Sequence, residues 1–143
     1  MGTLIGALTR QGIRASRPVN VFDCDDDRFR CFLRRTLSKL TKEYVYVAFF
    51  DGRRHYLGDY YVAGCESEIV IRGRQLFTRA LNINAAAVVL AHNHPSGRAL
   101  PSPADIESTR RLAHVGEALE IELLDHLIVG GDNIYSMKQA RIV

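Results

Sequence analysis

The sequence predicts an α/β fold in which helices flank a mixed β-sheet. Segments with helical periodicity alternate with short runs that are rich in β-branched and aromatic residues. The pair Asp51-Gly52 separates two such runs and is a strong signal for a hairpin of antiparallel strands. The run "AAAVVLA" at 85–91 is small and apolar throughout, which is typical of a strand covered on both faces.

The first predicted helix follows a weakly patterned N-terminal arm, which we assign to residues 1–20. In the segment "DCDDDRFRCFLRRTLSKL" the acidic residues come first, where they favour a helix N-terminus through capping and the helix dipole. We predict a helix over about residues 25–41. Its apolar face is expected to contain Phe29, Leu33, Leu37 and Leu40, with Phe32 beside them.

Two strands and a hairpin are predicted next. The run "EYVYVAFF" at 43–50 has the composition of a strand, and "RHYLGDYYV" at 54–62 returns after the Asp51-Gly52 turn. A further short strand, "EIVI", is predicted at 68–71. The segment "RQLFTRAL" predicts a helix whose inward-facing residues are Leu76, Phe77, Ala80 and Leu81.

The last part of the chain alternates in the same way. After the strand at 85–91 comes a dense polar loop, and then a helix predicted over about residues 103–117. The segment "LEIELLDHLIVG" predicts one or two strands, and "GGDN" turns the chain into a last strand, "IYSM".

The composition and charge of the sequence limit the classes of protein to which it can belong. The length of 143 residues fits one domain, and 47% hydrophobic with 24% charged residues is typical of a globular protein. A formal net charge of +3 is too weak to indicate nucleic-acid binding by itself. No apolar run approaches the roughly 18 residues of a membrane span, and no signal peptide is recognisable. We therefore expect a soluble cytoplasmic protein without membrane association.

The three cysteines, Cys24, Cys31 and Cys65, are odd in number and form no Cys-x-x-Cys pair. A disulfide framework or a four-cysteine zinc site is therefore not expected, and a reducing compartment fits better. We expect the three side chains to be small buried hydrophobes.

The segment "AHNHPSGRALPSPAD" at 91–105 is unusually dense in polar residues and allows three interpretations. One is a helix cap, with Ser102 as N-cap, Pro103 at the first helical position and Asp105 in the first turn. A cap does not account for His92 and His94, which lie two apart at a strand end and so point to the same side. Burying two adjacent imidazoles without partners is costly.

The other two interpretations concern the histidines. The letters His-Asn-His match the name of a nuclease class, but the metal site of that class draws on separated positions, so the match is weak. A metal site fits better, because a catalytic zinc has three protein ligands and one open position. His92 and His94 supply two nitrogens, and Asp105 returns from the next helix. Ser102 precedes Asp105 by one turn and faces the same pocket, so the cap and the metal site are compatible.

The full segment "HNHPSGRALPSPAD" fits the JAMM pattern His-x-His-(seven residues)-Ser-x-x-Asp. The longer form His-Asn-His-Pro-Ser-Gly followed by Pro-Ser-x-x-Asp resembles the RadC branch of that superfamily, as does "DHLIVG" near the C-terminus. The resemblance covers roughly residues 20–143, and it implies a catalytic domain at 21–143. The fold that it implies is an α/β sandwich of the MPN or cytidine-deaminase-like kind.

This resemblance also implies a site. His92, His94 and Asp105 would hold Zn²⁺, with water in the fourth position. Glu43, between the first helix and the first strand, would be the general base, and Ser102 would hydrogen-bond the developing oxyanion. The implied reaction is hydrolysis of a peptide or isopeptide bond in a peptide or protein substrate.

The remaining histidines and acids leave alternatives open. Asp125 and His126 in "LLDHLIV" are candidates for partners that orient a metal ligand, but core hydrogen bonding or a strand-end turn explains them equally well. We interpret His55 and His114 as ordinary surface or helix residues.

The sequence also departs from the family pattern. Full-length RadC proteins carry an N-terminal helical domain associated with DNA, whereas only about twenty residues precede the first predicted helix here. This suggests a stand-alone domain. The alternative function is a nucleic-acid-associated module, in DNA repair or mobile-element biology, with a structural or vestigial metal site. The sequence favours the peptidase because the Glu, His, His, Ser and Asp set is intact, and it leaves the oligomeric state open.

Overall fold

The computed structural model describes residues 23, 25–64 and 73–143 of the chain. Three helices and five strands lie within these residues. They are α1 (Asp27–Leu37), β1 (Tyr44–Phe50), β2 (Tyr56–Ala63), α2 (Gly73–Asn82), β3 (Ala87–Asn93), α3 (Pro103–Ala118), β4 (Glu122–Gly130) and β5 (Asn133–Ser136). The predicted α/β class is confirmed, and "LEIELLDHLIVG" contributes a single strand, β4.

The five strands form one mixed sheet in the order β2-β1-β3-β4-β5. Strands β3 and β4 are parallel, and the other neighbouring pairs are antiparallel. Helix α1 covers one face of the sheet, and α2 and α3 cover the other. The result is a three-layer sandwich whose central parallel pair, β3 and β4, carries the candidate site.

Each face of the sheet has its own hydrophobic core. On one face Phe29, Leu33 and Leu37 of α1 pack against alternate residues of the central strands. On the other face Leu76 and Phe77 of α2, with residues of α3, pack against the intervening positions. Every residue of β3 is buried, so the prediction of a strand covered on both faces is confirmed.

Helix α1 is shorter than the predicted 25–41. Asp26 is its N-cap, and the Asp26 carboxylate accepts a hydrogen bond from Arg28 N at 2.7 Å. The helix ends at Leu37. Beyond it, Leu40 N donates to Leu37 O at 3.2 Å, and Asn93 Nδ2 donates to Leu40 O at 3.4 Å and to Lys42 O at 2.9 Å, so a strand residue holds the segment that follows the helix. Leu40 lies beyond the helix and still packs against the core.

The hairpin between β1 and β2 is present, but its turn is longer than the Asp51-Gly52 pair predicts. Five residues, 51–55, connect the strands. Asp51 Oδ1 accepts hydrogen bonds from Arg53 N at 2.8 Å and His55 N at 2.9 Å, and Arg54 adopts a φ of 67°. The carboxylate of Asp51 thus organises a longer loop than the two-residue turn that the pair favours.

The prediction that Leu81 faces inward is wrong, because 55% of Leu81 is exposed. Leu76, Phe77 and Ala80 form the buried stripe of α2. Leu81 lies about 100° further around the helix than Ala80, beyond the edge of that stripe.

Several predictions fall outside the described residues: the arm at 1–20, the strand at 68–71, Cys24 and Cys65. The boundary between arm and domain stays a prediction. Cys31 is partly rather than fully buried. No helix in the described part of the chain has the length and apolar character needed to cross a membrane.

Candidate metal centre

Three potential metal ligands come together where β3 ends and α3 begins. Nitrogen and oxygen atoms of His92, His94 and Asp105 lie within 4.8 Å of one another. His92 Nε2 is 2.8 Å from His94 Nε2 and 3.5 Å from Asp105 Oδ1. His94 Nε2 is 3.4 Å from Asp105 Oδ2. The structure therefore assembles the three residues that the sequence singled out, and the group could hold a metal ion.

The sheet fixes the histidines at the carboxyl end of β3. His92 pairs with Val45 of β1 and Ile128 of β4, and its side chain is fully buried. His94 follows the strand, where its N–H donates to Val129 O at 2.8 Å. Both rings point to the same side, as strand alternation predicts. His94 is only partly buried, so the cluster is accessible from its side.

The loop after His94 packs tightly on the end of β4. A Cβ at Gly130 would lie 2.3 Å from Ala99 N and 2.4 Å from Arg98 C, which leaves no room for any side chain. Gly97 has a φ of +79°, a conformation that favours glycine, and its N–H donates to His94 O at 3.0 Å. Gly130 and Gly97 thus set the path of the loop that leads to α3.

The start of α3 is a capping box that also aims the carboxylate. Ser102 is the N-cap and Pro103 occupies the first turn, as predicted. Ser102 Oγ accepts from Asp105 N at 3.1 Å, and Asp105 Oδ2 accepts from Ser102 N at 2.7 Å. The cap leaves Asp105 Oδ1 facing His92 Nε2. The helix cap and the cluster are therefore one arrangement.

The charges in the cluster suit a cation. Burial disfavours the charged form of Asp105, but hydrogen bonds from His92 and His94 outweigh this effect and hold the pKa of the carboxyl well below its usual range. The hydrogen bond to Asp105 raises the pKa of His94 against the effect of burial, and the charge of Glu43 adds to the rise. Both carboxylates, those of Asp105 and Glu43, thus favour the charged form of His94.

Glu43 is held beside the cluster by bonds to its neighbours. Asn93 Oδ1 accepts from Tyr44 N at 2.8 Å, and Asn93 Nδ2 donates to Lys42 O at 2.9 Å, so the two bonds bracket Glu43. Gly64 N donates to Glu43 O at 2.8 Å. Glu43 is partly buried and close enough for its charge to raise the pKa of His94. Glu43 thus lies within electrostatic range of one of the predicted ligands, His94.

Strand alternation separates Asp125 from His126. The His126 ring lies on the side of the cluster, with Nε2 2.7 Å from His92 Nδ1. Asp125 points to the opposite face, where its carboxylate accepts from Ser136 Oγ at 2.5 Å and Lys138 N at 3.0 Å. Of the two alternatives left open by the sequence, core hydrogen bonding holds for Asp125, and contact with a candidate ligand holds for His126.

Sequence reasoning missed Asn93 and Thr109. Thr109 is fully buried in α3, with Oγ1 2.6 Å from both His126 Nδ1 and Asp105 O. Asn93 could have been found from its position inside a predicted buried strand, where an amide side chain needs hydrogen-bond partners. Thr109 could have been found from its spacing, because a residue four positions after Asp105 lies on the same side of the helix.

The other two histidines lie outside the cluster. His55 Nδ1 contacts Asp51 Oδ2 at 3.0 Å in the loop between β1 and β2, and His114 is exposed on α3. Their interpretation as ordinary residues agrees with these positions.

The donor set fits a zinc ion. His94 Nδ1 is 3.0 Å from Arg98 O, and because a carbonyl only accepts, His94 donates from Nδ1 and Nε2 is the nitrogen left to bind a metal. That nitrogen lies 2.8 Å from His92 Nε2 and 3.4 Å from Asp105 Oδ2. Two imidazole nitrogens and one carboxylate oxygen are donor types that zinc binds in proteins.

Comparison with known proteins defines the class. Residues 24–142 match the model of the RadC-like JAB domain. The chain therefore belongs to the RadC-like JAB domain family. The mixed sheet with helices on both faces is consistent with that domain.

Individual relatives carry names without an assigned activity. The chain is 40% identical to the UPF0758 protein YkfG of Escherichia coli K12 over 111 residues, which are 77% of this chain and 70% of that protein. It is 40% identical over 113 residues to a UPF0758 protein of Acidithiobacillus ferrooxidans, covering 78% of this chain and 50% of the relative. A UPF0758 protein of Chloroflexus aggregans is 37% identical over 108 residues, which are 74% and 47% of the two chains. The chain thus spans about half the length of the latter two.

Proposed function

We propose that this protein is a zinc-dependent hydrolase that cleaves a peptide or isopeptide bond. The observation that carries the proposal is the convergence of His92, His94 and Asp105 at an accessible sheet end, with Glu43 and Ser102 beside them. Membership in the RadC-like JAB domain family supports it.

The number of ligands favours catalysis over a structural role. Within the described residues the group contains three ligands, His92, His94 and Asp105. A structural zinc site normally has four protein ligands, whereas a catalytic one keeps a position for water or substrate. The partial exposure of His94 lies on the side from which a substrate would enter.

Glu43 is the proposed general base. A bound zinc ion supplies Lewis acidity and lowers the pKa of water towards about 7. Glu43 accepts the proton of the attacking water and passes it to the leaving amine. Its backbone is fixed on both sides by Asn93 and again by Gly64, so the carboxylate stays beside His94.

Ser102 is the proposed oxyanion donor. Its hydroxyl oxygen accepts from Asp105 N at 3.1 Å, which fixes the oxygen at the helix start. Within the described residues the hydroxyl proton has no acceptor, so it is free to be donated to the carbonyl oxygen of a substrate as negative charge develops there. The capping box therefore orients a donor as well as the ligand Asp105.

The experiment that tests the proposal separates chemistry from binding. Wild-type protein loaded with zinc, metal-free protein and zinc-loaded Glu43→Gln are incubated in ¹⁸O-water with a proteome-derived peptide library and a set of lysine-isopeptide-linked peptides. Mass spectrometry then measures new amines and ¹⁸O in new carboxyl groups. Glu43→Gln preserves the size of the side chain and removes the base, so a loss of about 10²–10⁴ in rate is expected.

The two possible outcomes are distinct. Labelled products from the zinc-loaded wild type alone would establish hydrolysis at this site. Equal products from Glu43→Gln, or none from wild type that carries one zinc per chain, would overturn the proposal.

A further inference from the structure

A chain of short contacts runs from the backbone of Asp105 to the ring of His92. Thr109 Oγ1 is 2.6 Å from Asp105 O and 2.6 Å from His126 Nδ1. His126 Nε2 is 2.7 Å from His92 Nδ1. The three residues whose side chains take part, Thr109, His126 and His92, are each at most 1% exposed. Water is therefore excluded from these contacts.

The hydrogen bond between Thr109 and Asp105 O fixes the donor and the acceptor in each of the following contacts. A carbonyl oxygen cannot donate, so an approach of 2.6 Å between Asp105 O and Thr109 Oγ1 requires the proton of the threonine hydroxyl. Thr109 Oγ1 has one proton and therefore accepts from His126. The proton of His126 consequently lies on Nδ1.

The position of the proton on His126 in turn determines which nitrogen of His92 donates. Within the described residues the ring nitrogens of His126 contact only Thr109 and His92, so a charged ring would have no carboxylate in contact and burial would be costly. A neutral His126 with its proton on Nδ1 has a lone pair on Nε2. His92 must then donate from Nδ1, which leaves Nε2 as the ring nitrogen that can bind a metal.

We propose that Thr109 and His126 are positioning residues, which hold His92 in the tautomer whose Nε2 lone pair faces the metal. The inference rests on the proposed function, because it takes the metal site as given. It goes beyond that function by assigning a task to two residues that touch neither metal nor substrate.

The two histidine ligands are oriented by different means. His94 donates from Nδ1 to Arg98 O, a backbone carbonyl, which is an ordinary partner for a metal ligand. His92 faces another imidazole, which can donate or accept and so selects no tautomer by itself. Thr109 removes that ambiguity, because its own proton is taken by Asp105 O. The backbone of one ligand residue thus sets the tautomer of another.

The test uses variants of Thr109 with a control on the neighbouring residue. Thr109→Val keeps the shape and removes the hydroxyl, whereas Thr109→Ser keeps the hydroxyl. Ser108→Ala is the matched control, because Ser108 Oγ also donates to Asp105 O, at 3.2 Å, but does not contact His126. Zinc affinity is measured by competition with a chromophoric chelator at fixed pH.

We expect Thr109→Val to weaken zinc affinity by about 10–100-fold, the usual effect of removing a partner that orients a metal ligand. Thr109→Ser and Ser108→Ala should bind zinc as the wild type does. Equal affinity in Thr109→Val and wild type would overturn the inference, as would an equal loss in Ser108→Ala.

A second measurement reads the tautomers directly in metal-free protein. Proton–nitrogen correlation spectra of histidine-labelled wild type should show His92 and His126 protonated on Nδ1. Thr109→Val should lose this pattern and Thr109→Ser should restore it. A wild-type His92 without a proton on Nδ1 would overturn the inference. If the wild type bound no zinc, the proposed hydrolase would fail, and the spectra alone would still decide whether His92 Nδ1 carries the proton.

Discussion

Asn93 Oδ1 accepts a hydrogen bond from Tyr44 N at 2.8 Å, although the two residues lie 49 positions apart in the chain. The bond joins the strand that carries His92 to the segment that carries Glu43. A second hydrogen bond, from Asn93 Nδ2 to Lys42 O, holds the backbone on the other side of Glu43. The residue between the two histidines therefore positions the proposed base.

Replacing this amide should affect the base more than the metal. We expect Asn93→Ala to lower the free energy of unfolding by roughly 1–3 kcal/mol, because partly buried backbone groups lose their partners. Hydrolysis should fall further than zinc affinity does, since Glu43 loses its anchors while the ligands keep theirs. Urea unfolding, zinc titration and cleavage of a peptide from the library measure the three effects.

Ser136→Ala is the matched control for Asn93→Ala. Ser136 is also buried and hydrogen-bonded in the sheet, but its partner is Asp125 on the face away from the cluster. The control should lose stability and keep hydrolysis. Unchanged cleavage by Asn93→Ala would show that Asn93 does not position Glu43.

Gly130 should be required for the geometry of the ligand loop. A Cβ at this position would lie 2.3 Å from Ala99 N, so Gly130→Ala must push the loop away from β4. We expect lower stability and weaker zinc binding, both measured by zinc-dependent thermal unfolding. Gly58→Ala in β2 is the control, because a Cβ there meets nothing within 4 Å. Equal behaviour of the two variants would contradict the close packing described for the loop.

Ser102 has two tasks that substitutions can separate. Ser102→Ala removes the cap, at a cost of about 1 kcal/mol in the free energy of unfolding, whereas Ser102→Gly costs only a few tenths. Both remove the hydroxyl donor, so both should lower kcat by about 10²–10³. Urea unfolding and cleavage rates distinguish the tasks. Full activity in Ser102→Gly would mean that the hydroxyl serves only as a cap.

The residues of the candidate site were predictable to the extent that they are close in the chain. His92, His94, Ser102 and Asp105 lie within one strand end, one loop and one helix start, so spacing alone brings them together. Glu43 came from the resemblance, because its approach to His94 depends on bonds across the sheet. Asn93 and Thr109 were not predicted, because their hydrogen-bond partners are determined by tertiary packing.

The same distinction holds for the fold. Local periodicity predicts the strands and helices, but three features of the fold depend on side-chain contacts or on helix geometry that the pattern does not show. Helix α1 ends at Leu37, and Asn93 binds the carbonyls of Leu40 and Lys42 in the segment that follows it. The loop at 51–55 is organised by the carboxylate of Asp51. Leu81 lies outside the stripe that meets the sheet.

The proposed metal site can be tested by measuring the zinc content of the protein. The wild type and the His92→Ala/His94→Ala double variant are purified without added metal, supplied with zinc, freed of excess and analysed for metal. We expect about one zinc per chain in the wild type and none in the variant. A wild type that retains no zinc, or a variant that retains as much as the wild type, would contradict the proposed metal site.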